Sequence, residues 1–196
     1  MTAQIIAPPQ RQGDWLQTAT GIQFWPLDPR PEEVNVVDIA IALSNQCRFG
    51  GHLGKWVSIK PGHDRFIPQL YSVAQHSVLV ALNLPPAFQK QGLLHDAAEA
   101  YLVDVPRPIK KYLVNYGVFE ARLAACIGDR FGVELCDLPS EVHEADNRAL
   151  ATEKRDLLPK RARWLPLPDP WIARITPWTA EESCKAFLGL VAKLGL

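Results

Sequence analysis

Apolar positions recur at helical spacing over most of the chain. From Asn35 to Phe49 the residues Val36, Val37, Ile39, Ala40, Ile41 and Leu43 predict a mostly buried helix, with Asn35 as its cap, Arg48 at its exit and Gly50-Gly51 as its stop. Ser72 to Leu84, Ala87 to Leu102, Phe119 to Phe131 and Ser140 to Leu158 predict further helices, the first of them ended by Pro85-Pro86. Thr179-Ala180-Glu181-Glu182 has capping-box form and opens a last helix whose apolar face is Ala186, Phe187, Leu190, Val191 and Leu194. Elsewhere the period is two. Trp15 to Leu27 alternates around Thr20-Gly21, and Trp56-Val57-Ser58-Ile59 with Phe66-Ile67 flanks the turn-rich Pro61-Gly62-His63-Asp64, so each predicts a short β-hairpin. Pro159 to Pro177, rich in proline and tryptophan, predicts an ordered crossing loop. The expected fold is an all-α bundle carrying one or two short hairpins, a single domain over 1–196 with its helical core at about 35–158.

Composition narrows the function classes. A chain of 196 residues, 47% of them apolar, can build its own core. Its 21 basic residues balance 21 acidic ones, which argues against a nucleic-acid coat or a membrane held by charge. No stable nucleic-acid partner and no membrane are expected. Apolar runs such as Ser77 to Leu84 fall short of the roughly 20 residues that span a bilayer, and the amino terminus lacks a basic-then-apolar signal, so a cytoplasmic protein is expected. Cys47, Cys126, Cys136 and Cys184 lack CxxC spacing and read as reduced packing residues.

The helix expected over Ala87 to Leu102 carries His95, Asp96 and Glu99 among apolar neighbours, where unpaired burial would cost several kcal/mol. At 3.6 residues per turn all three project toward one side, and a cation is the economical partner. The preceding helix offers His76, able to face His95 across the Pro85-Pro86 turn, and a later helix offers Asp146. Two imidazoles and two carboxylates suit Mn, Co, Zn, Fe or Ni, with Mg as a further option, and leave coordination positions open for water or a phosphate oxygen. His63 and His143 sit in a turn and near a helix start and read as structural.

His76, the His95-Asp96 doublet and Asp146 resemble the H…HD…D motif of the HD-domain superfamily of metal-dependent phosphohydrolases. The similarity runs from Arg48 to Asp146, and the strings around His76, His95-Asp96-Ala97-Ala98-Glu99 and Asp104-Val105-Pro106 are most similar to the branch of small 5′-deoxynucleotidases and phage deoxynucleotide triphosphohydrolases. The resemblance implies that His76, His95, Asp96 and Asp146 hold one divalent ion, that Glu99 and Asp104 act on the attacking water or leaving group, that Arg48 contacts phosphate, and that Phe49 lies near sugar or base. Further substrate-bound ions would be compatible with it. The chain departs from the branch in Gly50-Gly51-His52 and in a longer spacer from Arg48 to His76.

Between Arg48 and Lys111 eight Lys or Arg residues face four acids, which places local positive charge where a phosphate would arrive. Arg107 and Lys110 follow Arg48 as candidate phosphate contacts, and His52, in the Arg48 loop, is a candidate for phosphate or metal. The expected activity is hydrolysis of deoxynucleotide phosphates by metal-activated water, 5′-nucleotidase-like. A deoxynucleoside triphosphate triphosphohydrolase, of dATP type for example, and a non-catalytic nucleotide- or metal-sensing module are the alternatives. A homo-oligomer is expected, with Trp15, Trp25, Trp164, Trp171 and Trp178 as interface or core residues.

Overall fold

A computed structural model describes residues 11–159 and 162–196. The absence of an amino-terminal signal is an expectation about residues outside that range. Among the described residues the chain is mainly helical with two small antiparallel strand pairs, as the periodicity predicts.

Strands β1 (Leu16–Gln17) and β2 (Gln23–Phe24) form the first hairpin. Asp38 of helix α1 (Val36–Asn45) ties it to the bundle by accepting from the Thr20 N–H and hydroxyl, both at 2.7 Å. Phe24 then stacks on Tyr101 with ring centroids 3.9 Å apart. Asn35 caps α1 as expected, accepting the Val37 N–H at 2.9 Å. The helix stops at Asn45, short of the predicted Phe49. Gln46 turns extended, Cys47 bridges to Ser72, and the Arg48 N–H donates to the Tyr71 carbonyl at 2.9 Å, so pairing to the chain before the next helix replaces helical hydrogen bonds. Arg48–Gly51 form a 3-10 turn with Phe49 and Gly50 at φ 58° and 59°. Gly50 therefore does not stop a helix but lets the chain reverse, and Phe49 carries the left-handed strain that glycine avoids.

The second hairpin pairs β3 (Gly54–Lys60) with β4 (His63–Pro68), Trp56 opposite Phe66, with a bulge between Ser58 and Lys60. Helix α2 (Val73–Leu82) is capped by Ser72, which accepts the Gln75 N–H at 3.1 Å, and is buried around most of its circumference. The helix predicted over Ala87 to Leu102 is divided into α3 (Gln89–Leu94) and α4 (Glu99–Leu102). His95 to Ala98 form tight turns in which the N–H groups of Ala97, Glu99, Ala100 and Tyr101 donate three residues back. This shorter hydrogen-bond period rotates the doublet relative to an ideal helix.

A short helix α5 (Arg107–Lys110), opened by proline, was not anticipated. Helix α6 (Tyr116–Phe131) begins three residues before the predicted Phe119, and α7 (Ser140–Leu157) falls where it was expected. Thr179 and Glu182 form the capping box of α8 (Ala180–Leu194), which packs on α1 and α2. Of the crossing loop predicted over Pro159 to Pro177, residues 160–161 lie outside the described range; further on the chain is held by polar anchors, with Gln75 donating to the Thr176 carbonyl at 2.8 Å and accepting the Trp178 N–H at 2.9 Å, and the Thr152 hydroxyl accepting the Trp171 N–H at 2.9 Å. Ile39, Leu43, Leu93, Leu94, Leu123, Ile127 and Phe187 form the buried core. Among the described residues no helix is long and apolar enough to cross a membrane, and the four cysteines are unpaired.

Candidate metal centre

Helix α2 presents His76 on its wholly buried middle, the turn after α3 presents His95 and Asp96, and α7 presents Asp146. His76, His95 and Asp146 each offer a donor atom within 4.8 Å of the other two, a group that could hold a metal ion. The two imidazole Nε2 atoms lie 3.3 Å apart. Asp146 Oδ1 is 3.2 Å from His76 Nε2, and Asp96 Oδ2 is 3.2 Å from His95 Nε2 and 3.6 Å from that of His76.

The other face of each ring assigns the tautomers. His76 Nδ1 donates to Glu153 Oε1 at 2.6 Å, and His95 Nδ1 donates to the Gly92 carbonyl at 2.8 Å. With both protons placed on Nδ1, both Nε2 atoms turn lone pairs toward the same point between two carboxylates. Such lone pairs repel unless a cation or a proton stands between them, and the donor set of imidazole nitrogen and carboxylate oxygen fits a borderline divalent ion. Burial and the Arg48 charge disfavour protonated His76, yet Glu153 and Asp146 raise its pKa to about 9. Proton and metal thus compete for one site. Burial works against the ionised forms of Asp96 and Asp146 too, but the facing histidines hold both well below the usual carboxylate range.

The predicted site residues divide into those at this cluster and those away from it. Asp96 is not part of that three-residue group; its Oδ2 lies 3.4 Å from Arg48 Nη1, so the guanidinium borders a carboxylate beside both imidazoles. Glu99 is buried, its Oε2 has no hydrogen-bond partner among the described residues, and burial together with Asp96 and Asp104 pushes its carboxyl up to about 9. Asp104 faces the same charges and is raised as well, by burial first and then by Asp96. Gln46 positions both: its amide donates to the Glu99 carbonyl at 2.9 Å and its oxygen accepts the Asp104 N–H at 3.0 Å. Val103, between them, has φ 63° and ψ 156°, a conformation that a β-branched residue adopts only under constraint. Its carbonyl accepts from the Tyr116 hydroxyl at 2.9 Å.

Arg107, although exposed, donates to Asp146 Oδ2 at 2.7 Å. Lys110 pairs with Glu120. Lys90 reaches the Gly195 carbonyl, and Lys55, Lys60 and Arg65 lie on the second hairpin. Lys111 lies over the Tyr112 ring, and among the described ion pairs Arg48 and Arg107 are the bases of the expected eight that pair with Asp96 or Asp146. Phe49 is half-buried beside the Arg48 guanidinium, whereas His52, His63 and His143 are exposed.

Sequence reasoning missed Glu153. It is fully buried, 3.0 Å from the Tyr71 hydroxyl that donates to it and 3.4 Å from Arg48 Nε. Its position seven residues after Asp146, two turns along the same helix face, was the available signal.

Over 143 residues the chain is 36% identical to the uncharacterized protein YfdR of Escherichia coli, a match covering 73% of this chain and 72% of that protein. It is 30% identical over 140 residues to the uncharacterized Rhodobacter capsulatus protein RCAP_rcc00048, covering 67% of this chain and 64%, just under two thirds, of that protein. No protein-family model matches the chain.

Proposed function

The chain belongs to the family of Escherichia coli YfdR, and for this member we propose a divalent-metal-dependent phosphohydrolase of HD-domain type that acts on deoxynucleotides in the manner of a 5′-nucleotidase. The observation that carries the proposal is the pair of imidazole Nε2 atoms, 3.3 Å apart beside Asp96 and Asp146, with an acceptor behind each ring at Nδ1.

His76, His95, Asp96 and Asp146 would hold the ion. A bound divalent ion supplies a water with its pKa lowered from about 15.7 toward about 7 and charge relief on the phosphoryl oxygens. Arg48, partly buried beside Asp96, offers a planar fork to an incoming phosphate. Glu99 holds a proton near neutrality and can give it to a departing oxygen, while Asp104, on the same wall, orients the water or the sugar. Two arginines at the cluster suit a single phosphate better than a polyphosphate, which supports the monophosphate substrate. The unpaired cysteines accord with a cytoplasmic location.

Purified protein is assayed with Mn²⁺ or Co²⁺ against deoxynucleoside mono-, di- and triphosphates. Orthophosphate release from a monophosphate is expected. Tripolyphosphate from a triphosphate assigns the triphosphohydrolase instead, thermal stabilisation by nucleotide without turnover assigns a sensing module, and no response to any nucleotide overturns the proposal. Light scattering tests the homo-oligomer.

A further inference from the structure

The environment of Glu153 does not match that of an ordinary structural ion pair. Its side chain is fully excluded from solvent in the interior of α7, where burying a carboxylate is heavily penalised and an apolar residue would serve packing better. Its two oxygens are divided. Oε1 receives the His76 Nδ1–H at 2.6 Å and the Tyr71 hydroxyl at 3.0 Å, and Oε2 faces Arg48 Nε at 3.4 Å. Arg48 continues from there to Asp96 at 3.4 Å, so one buried acid touches both the imidazole that would bind the ion and the guanidinium that would meet the phosphate.

We infer that Glu153 is a positioning residue that sets the tautomer of His76 for metal binding through one oxygen and the aim of Arg48 for phosphate through the other. The inference rests on the proposed phosphohydrolase function for the identity of the Arg48 ligand. A carboxylate that takes the remote N–H of a histidine fixes the ring and makes the opposite nitrogen a better donor, and losing such a partner lowers metal affinity by about 10- to 100-fold. An Arg48–Glu153 pair alone would call for no contact with His76, yet the His76 contact is the shortest that Glu153 makes.

The full-length protein is titrated with Mn²⁺ and, separately, with inorganic phosphate in the presence of saturating Mn²⁺, with circular dichroism reporting the fold. Glu153→Ala is expected to weaken Mn²⁺ binding by about 10- to 100-fold. Glu153→Gln, nearly isosteric, keeps an oxygen to accept the His76 N–H but removes the charge facing Arg48. It should recover most of the Mn²⁺ affinity while phosphate affinity stays reduced by about tenfold, the scale of one hydrogen bond lost between a misaimed Arg48 and the phosphate. Where Glu153→Ala does not fold, Glu153→Gln decides by itself: reduced phosphate affinity supports the inference, and wild-type phosphate affinity overturns it. A folded variant with a lower melting temperature but wild-type affinity for both probes also overturns it, since that is the behaviour of a purely structural ion pair. Wild-type protein that binds no Mn²⁺ overturns the phosphohydrolase function and this inference together, whereas normal wild-type binding with indifferent Glu153 variants overturns this inference alone.

Discussion

His76 and His95 show how one proton on each ring decides what a site can do. Because Glu153 and the Gly92 carbonyl take the Nδ1–H groups, the remaining nitrogens converge with Asp146, and each ring is held from behind. Glu99 differs from these: it is buried, unpartnered at Oε2 among the described residues and raised to about 9, and under the proposed function it transfers a proton. His95→Ala and Asp146→Ala should therefore lose Mn²⁺ binding and turnover together. Glu99→Ala should keep the ion and lose about 100-fold or more in kcat, the scale of general acid–base catalysis. Metal content by elemental analysis beside steady-state kinetics checks the separation. The residue types of this cluster were legible in the sequence. The strain at Val103 was not, because nothing in the local string Tyr101-Leu102-Val103-Asp104 calls for a positive φ; Gln46, Tyr116 and the Glu99 carbonyl impose it from three elements.

Most of the helices were readable from periodicity, while their ends were set by partners elsewhere. α1 ends early because residues 46–48 pair with the chain at 71–73, and the doublet forms turns rather than helix. Asp156 at the end of α7 anchors residues 174–175, accepting from Arg155, from Arg174 at 2.7 Å and from the Ile175 N–H at 2.9 Å. Burial opposes ionisation of Asp156, but the hydrogen bonds from Arg155, Ile175 and Arg174 hold its pKa below the ordinary carboxylate value. With a folded value below the unfolded value of about 3.9, its contribution is complete above that pH and is lost as pH falls through the folded value. Asp156→Asn should cost about 1–2 kcal/mol at pH 7, with the difference from wild type shrinking below about pH 4. Urea midpoints across that range measure it.

For the molecule as a whole, α8 closes the core against α1 and α2, and the metal-side residues lie where α2, the α3–α4 turn and α7 meet. The β3–β4 hairpin stands apart from that arrangement. Trp56 and Ile59 are 71% and 64% exposed, and the strands pack chiefly on each other. An isolated two-stranded hairpin adds little stability in water. Its base is closed by the Gln69 N–H donating to the Leu53 carbonyl at 3.1 Å, independently of the strands. Replacing residues 55–67 with a short Gly-Ser link should leave the melting temperature within about 4 °C of wild type, the shift expected for 1 kcal/mol in a chain of this size, and preserve Mn²⁺ binding. A melt and a metal titration on the shortened protein test this.

The helical period, the caps at Asn35 and Thr179 and both hairpins were determined by the sequence, because each depends on neighbours within a few residues. Which base pairs with which acid was decided only by the tertiary structure. Arg107 met Asp146, Lys110 met Glu120, and Glu153 closed on His76 across 77 positions of chain. Periodicity states which face of a helix is buried but not what it is buried against, and the energy of a buried charge depends entirely on that opposing group.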